Sequence, residues 1–125
     1  MTALADARAH LRKAEEFLEA AELSEEVGLF NAATASSVTS GINAKDAMCL
    51  TLTGRTAKTD SHNDAVAELR SAGPLARDHA TTLGRLLKLK NRAQYQTADV
   101  ARTDARKAIE WARRLLDVAA EIVAG

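Results

Sequence analysis

The last quarter of the chain carries an unbroken stripe. Ala101, Ala105, Ala108, Ala112, Leu115, Ala119 and Ile122 alternate spacings of four and three, and Ile109, Leu116 and Val123 thicken the stripe at spacings of seven. That period belongs to an α-helix with one apolar face, and a strand cannot carry it. A seam built so largely of alanine gains contact area only when it lies close against a neighbouring backbone, so the rest of the chain has to supply helices of similar length. The composition agrees. There are 27 alanines, one proline and four aromatics, which favours helix throughout, since Ala has the best helix propensity and strand formers are scarce.

The other segments supply those helices. Over residues 2–27, Leu4, Ala7, Leu11, Ala14, Leu18 and Ala21 repeat at helical spacing, joined by Phe17, with Glu15, Glu16, Glu19 and Glu22 on the outer face and Gly28 as the stop. A turn so short predicts an antiparallel second helix over residues 29–52. It opens NAATASS, small enough for two backbones to approach closely, and continues with Val38, Ile42, Cys49 and Leu52. Asn43, Lys45 and Asp46 lie among these, so the face is mixed, and Asn43 and Asp46 are either solvated or paired with the basic end of the third helix. GRTAKTD then forms a polar connection, and Asp60 or Ser61 can cap a short helix, HNDAVAELRSAG. Pro74 suits the first turn of a third helix over residues 75–91, and a fourth begins near Asp99 with Thr97 as its cap. The expected architecture is all-α, an antiparallel four-helix bundle with one extra short helix between helices two and three. Its 125 residues suit a single domain spanning 1–125, large enough for a core without metal or disulfide staples.

Net charge is zero, but the distribution is uneven. Residues 1–27 hold seven acids against three bases, and residues 85–114 hold nine bases against three acids. The third helix concentrates the contrast: in LGRLLKLKNRAQY, residues 83–95, the apolar Leu83, Leu86 and Leu87 can face a core while Arg85, Lys88, Lys90 and Arg92 emerge toward Tyr95. This is the candidate site for an anionic ligand such as RNA or a nucleotide, the alternative being an ordinary solvated face. Tyr95 can stack on a base or anchor the loop to the core. Trp111 is read as a packing or dimer-interface residue. Cys49 is the one cysteine and can form no intramolecular disulfide, which fits a reducing compartment. Neither a signal core nor a membrane-spanning run is legible, so a cytoplasmic protein without membrane attachment is expected. No metal-ligand spacing or phosphate-cradling glycine loop is present, and no cofactor is expected. The alanine-rich core points to a homodimer.

Several local pieces resemble the HEPN superfamily of small helical bundles. KAEEFLEAA resembles its first-helix signature, and VGLFNAATASSVTSGINAKDAM its glycine turn, aromatic and small-residue second helix; Ser61 and His62 open the short helix, and Arg92 and Tyr95 close the third. The resemblance implies a dimer, often paired with a minimal nucleotidyltransferase, and in many members a ribonuclease whose cleft lies between subunits. The family's ribonuclease motif is an Arg with a His four to six residues later. Arg92 matches the Arg, but residues 93–99 contain no His. An arginine stays protonated and cannot act as the base that RNA cleavage needs, so Arg92 alone is a binding residue. His79 precedes it by thirteen residues, about 20 Å along a helix. His10 and His62 are read as caps, surface groups or packing residues. The leading expectation is a non-catalytic binding protein, engaging a nucleotidyltransferase-type partner or RNA at the basic end of the third helix. The alternatives are a divergent ribonuclease toxin using Arg92 and Lys90 with Asp46 or His62 supplied across a dimer, and a purely structural interaction module.

Overall fold

A computed structural model describes residues 2–58 and 61–125. All regular structure among them is helical: α1 (Ala3–Glu26), α2 (Phe30–Thr53), α3 (His62–Ser71), α4 (Pro74–Arg77), α5 (Ala80–Gln94) and α6 (Arg102–Ala124). Thr2 caps α1 by accepting from the Ala5 amide, and Ser61 caps α3 by accepting from the Asp64 amide. Asp60, the other expected cap, lies outside the described residues. Gly28 and Gly54 follow α1 and α2 with φ of 82° and 79°, the left-handed conformation that stops a helix and costs a glycine nothing.

The four long helices alternate in direction. His10 meets Asn43 and Ala14 meets Ser40, so α1 and α2 are antiparallel. Arg113 pairs with Glu22 and Arg106 with Glu25, which sets α6 antiparallel to α1. Arg92 meets Asp104 across the α5–α6 turn. The core fills from all four, with Leu18, Met48, Leu83, Leu86, Leu87 and Leu115 fully or almost fully buried. Small residues hold it together. A Cβ on Gly41 would collide with Leu86 of α5 and press on Leu115 of α6 at 3.3 Å, so the absent side chain is what lets three helices converge there. Nearby, Ser40 Oγ donates to the Ala14 carbonyl at 2.7 Å, tying α2 directly to the α1 backbone. Trp111 is half-buried and packs on this core.

Two boundaries differ from expectation. The segment expected as one third helix is split, because α4 packs on α3 whereas α5 packs on α2, α3 and α6. The chain bends between them at Asp78 and His79, whose ψ of −14° and −1° belong to a turn. The last helix starts at Arg102, not near Asp99, and Thr97 does not cap it. Instead Asn31 on α2 donates to Asp99 Oδ1 and accepts the Val100 amide, while Val100 is buried with Ala33 and Ala105. Val100 and Ala105 form a hydrophobic staple around the helix start, which leaves Ala101, the first member of the sequence stripe, exposed. No helix among the described residues is long and apolar enough to cross a membrane.

Candidate functional site

On α2, Val38, Ile42, Lys45, Cys49 and Leu52 follow one another at spacings of four and three, which carries Lys45 into the buried face. The lysine is only 2 % exposed and its neighbour Asp46 only 3 %. Two buried opposite charges are tolerable only if both are paired. Lys45 Nζ contacts Glu68 Oε1 of α3 at 2.5 Å and Asp46 Oδ1 at 3.3 Å, and donates to Thr56 Oγ1 at 3.0 Å and the Ala57 carbonyl at 3.3 Å. Thr56 donates its single hydroxyl hydrogen to Asp46 Oδ1 at 2.6 Å, and the Ala57 amide reaches Glu68. Burial would lower the pKa of Lys45, but the Glu68 hydrogen bond and the Asp46 charge outweigh it and raise it above the ordinary lysine value. For Glu68, burial acts upward and is overcome by the Lys45 and Ala57 hydrogen bonds, so its carboxyl is held below the ordinary value.

The network extends to α1 through the connection after α2. Lys58 Nζ donates to Asp46 Oδ2 at 3.2 Å and meets His10 Nε2 at 2.9 Å. Asn43 spends its amide hydrogen on the Thr39 carbonyl, so its Oδ1 faces His10 Nδ1 at 2.8 Å. Nδ1 therefore carries the ring hydrogen and Nε2 accepts from Lys58. Two lysines balance two carboxylates, and four elements are tied to one point: α1, α2, the connection and α3. Both Asp46 oxygens are engaged, by Lys45 and Thr56 on one side and Lys58 on the other. Asp46 thus meets cations of its own helix and of the connection, not the basic tip of the third helix.

Beside this network the sequence candidates separate into groups. Asp46, His62 and Lys90 line one cavity of about 260 Å³, floored by Ile42, Ala65 and Leu87. Burial and the Lys90 ammonium hold the His62 imidazole below its ordinary pKa. Arg85 and Lys88, three residues apart on α5, face an adjacent groove of about 580 Å³ together with Arg70 of α3, and His62 borders both spaces. No carboxylate of the described residues lines the groove. None of Arg70, Arg85, Lys88 and Lys90 forms an ion pair among the described residues.

Arg92 and Tyr95 lie elsewhere. Arg92 stands two residues beyond Lys90, roughly 200° around the helix, and its Nη1 donates to Asp104 Oδ2 of α6 at 2.9 Å. It points away from His62. Tyr95 is 71 % exposed at the end of α5, its ring free of the core. His79 ends the turn before α5, at the opposite end of that helix from Arg92.

Sequence reasoning missed Lys45, Lys58, Glu68 and Arg70. For Lys45 the signal was present, since it continues the apolar stripe from Ile42 to Cys49. For the other three there was none, because only the fold brings the connection and α3 against α2. The uneven charge was also legible, but not its internal use: Glu22 pairs with Arg113, and Glu25 with Arg102 and Arg106. Much of the basic content of α6 is thus neutralised by the acidic face of α1, whereas Arg85, Lys88 and Lys90 of α5 have no ion pair among the described residues. The family model described as HEPN domain matches residues 7–123. No curated protein matches the chain.

Proposed function

This chain belongs to the HEPN domain family, and on that premise we propose that it acts by binding, not by cutting: it holds RNA or a nucleotide by its phosphates in the groove between α3 and α5. The observation that carries the reading is that Arg70, Arg85 and Lys88 converge on one groove that no carboxylate of the described residues lines. Phosphate is the anion such a surface recognises best, through charge-assisted hydrogen bonds from two guanidinium groups and an ammonium. The orientation of Arg92 supports binding over cleavage. Its guanidinium donates to Asp104 of α6, and Asp46 is held by Lys45, Thr56 and Lys58. The protein works as a homodimer, a state favoured by its small-residue core.

The test is RNA binding by fluorescence anisotropy with a labelled single strand. Affinity should fall steeply as salt rises from about 50 to about 200 mM. Arg85→Ala with Lys88→Ala should weaken it about tenfold or more, and the protein should leave the RNA intact. RNA cleavage that disappears with Arg92→Ala would overturn the reading in favour of the ribonuclease.

A second reading, association with a nucleotidyltransferase-type protein, is favoured by a separate observation. Leu23, Val27 and Leu29 are exposed together where α1 turns into α2, far more apolar surface than a short turn needs. Asp substitutions at Val27 and Leu29 should release such a partner without affecting RNA binding.

A further inference from the structure

The cavity next to the groove has a different character from the groove. The groove is lined by α3 and α5 alone, whereas the cavity sinks between α2, the connection, α3 and α5 and ends on Ala65 and Leu87, both buried in the core. A strand that enters it has no way through. Its charge follows from pairing: Lys45 and Lys58 are matched by Asp46 and Glu68, and the Lys90 ammonium has no ion pair among the described residues. The first turn of α3 opens on the same space through Ser61 and His62. An α-helix leaves its first backbone N–H groups without internal partners and carries partial positive charge at that end. Beside Asp46, whose charge Lys45 and Lys58 hold, an ammonium, an imidazole and a helix N-terminus therefore face a blind space floored by Ile42, Ala65 and Leu87. Asp64, the acid in the first turn of α3, does not line it.

We propose that this cavity is a phosphomonoester subsite, which takes the phosphorylated end of an RNA strand lying in the α3–α5 groove, or the phosphate of a free mononucleotide. The inference rests on the reading of that groove as an RNA-binding surface. A blind cavity selects an end over a passing strand. A terminal phosphate also carries up to two charges, against one for the phosphodiester of a continuous chain, and so gains more from Lys90 and the helix N-terminus. His62 borders both spaces, which places the end of a groove-bound strand at the cavity mouth.

The experiment compares three oligoribonucleotides of one sequence, ending in a 5′-phosphate, a 3′-phosphate or hydroxyls at both ends. Each is titrated into wild-type protein, Lys90→Ala, and the Arg85→Ala, Lys88→Ala double variant. One phosphorylated end should bind wild type about tenfold more tightly than the hydroxyl-ended strand. Lys90→Ala should erase that preference and leave the hydroxyl-ended strand unchanged. The double variant should weaken all three strands and keep their ratio. Equal affinities for all three strands in wild type would overturn the subsite and leave the groove standing. If no RNA binds, the groove reading fails, and adenosine monophosphate and inorganic phosphate titrations followed at the His62 ring resonances decide the subsite by itself. A His62 shift that Lys90→Ala abolishes upholds it for free phosphomonoesters, and no shift overturns it.

Discussion

Lys45 and Glu68, twenty-three positions apart in sequence and on different helices, are joined by an ion pair of 2.5 Å that anchors α3 to α2. Because Lys45 is buried, its removal leaves the buried Asp46 and the partly exposed Glu68 with one cation fewer. Lys45→Met should therefore lower the unfolding free energy by about 3 kcal/mol. Adding Glu68→Gln to the same chain should recover part of the loss, since the stranded carboxylate is then gone. Urea unfolding of the single and double variants checks this, and strictly additive losses would show that the two residues are not coupled.

The same pair gives stability a pH dependence with a definite sign. Glu68 is held below its ordinary value of 4.5, so as pH falls the unfolded chain takes up this proton first. The contribution of ionised Glu68 is complete above 4.5 and is lost as pH falls through the folded value. His62 acts in the same direction at higher pH. Burial and Lys90 hold it below 6.5, so the contribution of its neutral form is complete above 6.5 and is lost as pH falls below. Unfolding free energy measured between about pH 7 and about pH 3 should decline in two steps. His62→Gln should remove the upper step and Glu68→Gln the lower. An unchanged profile in either variant would contradict the assignment of that step.

Gly41 sits under the terminal methyls of Leu86 and Leu115, and a methyl group there fits only if the Leu86 side chain shifts within a fully buried core. Gly41→Ala raises helix propensity by about 1 kcal/mol, but overpacking costs roughly 1 to 3 kcal/mol. The net effect should be a loss, visible as a lower urea midpoint. The control is Gly84→Ala, whose new Cβ meets only Val66 at 3.6 Å, an ordinary contact, and which should stabilise α5. Equal effects of the two substitutions would rule out the packing argument.

Cys49 is fully buried, and burial above all pushes its thiol up to about 12. The thiolate is the reactive form. A thiol reagent at neutral pH should therefore label the native protein only at the rate of its opening, and denaturant should restore full reactivity. Rapid labelling of the folded protein would place Cys49 at the surface.

The fold was legible where a stripe and a stop coincided. Leu4 to Ala21 ending at Gly28 gave α1 almost to the residue, and the alanine seam gave α6 apart from its first turn. It was not legible where a distant side chain decides. The start of α6 is set by Asn31, and the split between α4 and α5 by which neighbour each segment packs on, and neither leaves a local mark. The site divides in the same way. Arg85, Lys88 and Lys90 were found as cations on one helix, but a helix wheel without neighbours does not say that Lys90 faces α3 while Arg92 faces α6. Lys45 was visible as a charge on an apolar stripe, and its carboxylate partner across the bundle was not.

Asn31 carries a consequence for the order in which the molecule is made. It reaches the Val100 amide across 69 positions of sequence, so the signal that starts the last helix is printed near the beginning of the chain. During synthesis the α1–α2 hairpin leaves the ribosome long before residue 100, and it can close on its own local contacts. When α6 emerges, the residue that sets its starting point and the helices that receive its seam have already been made.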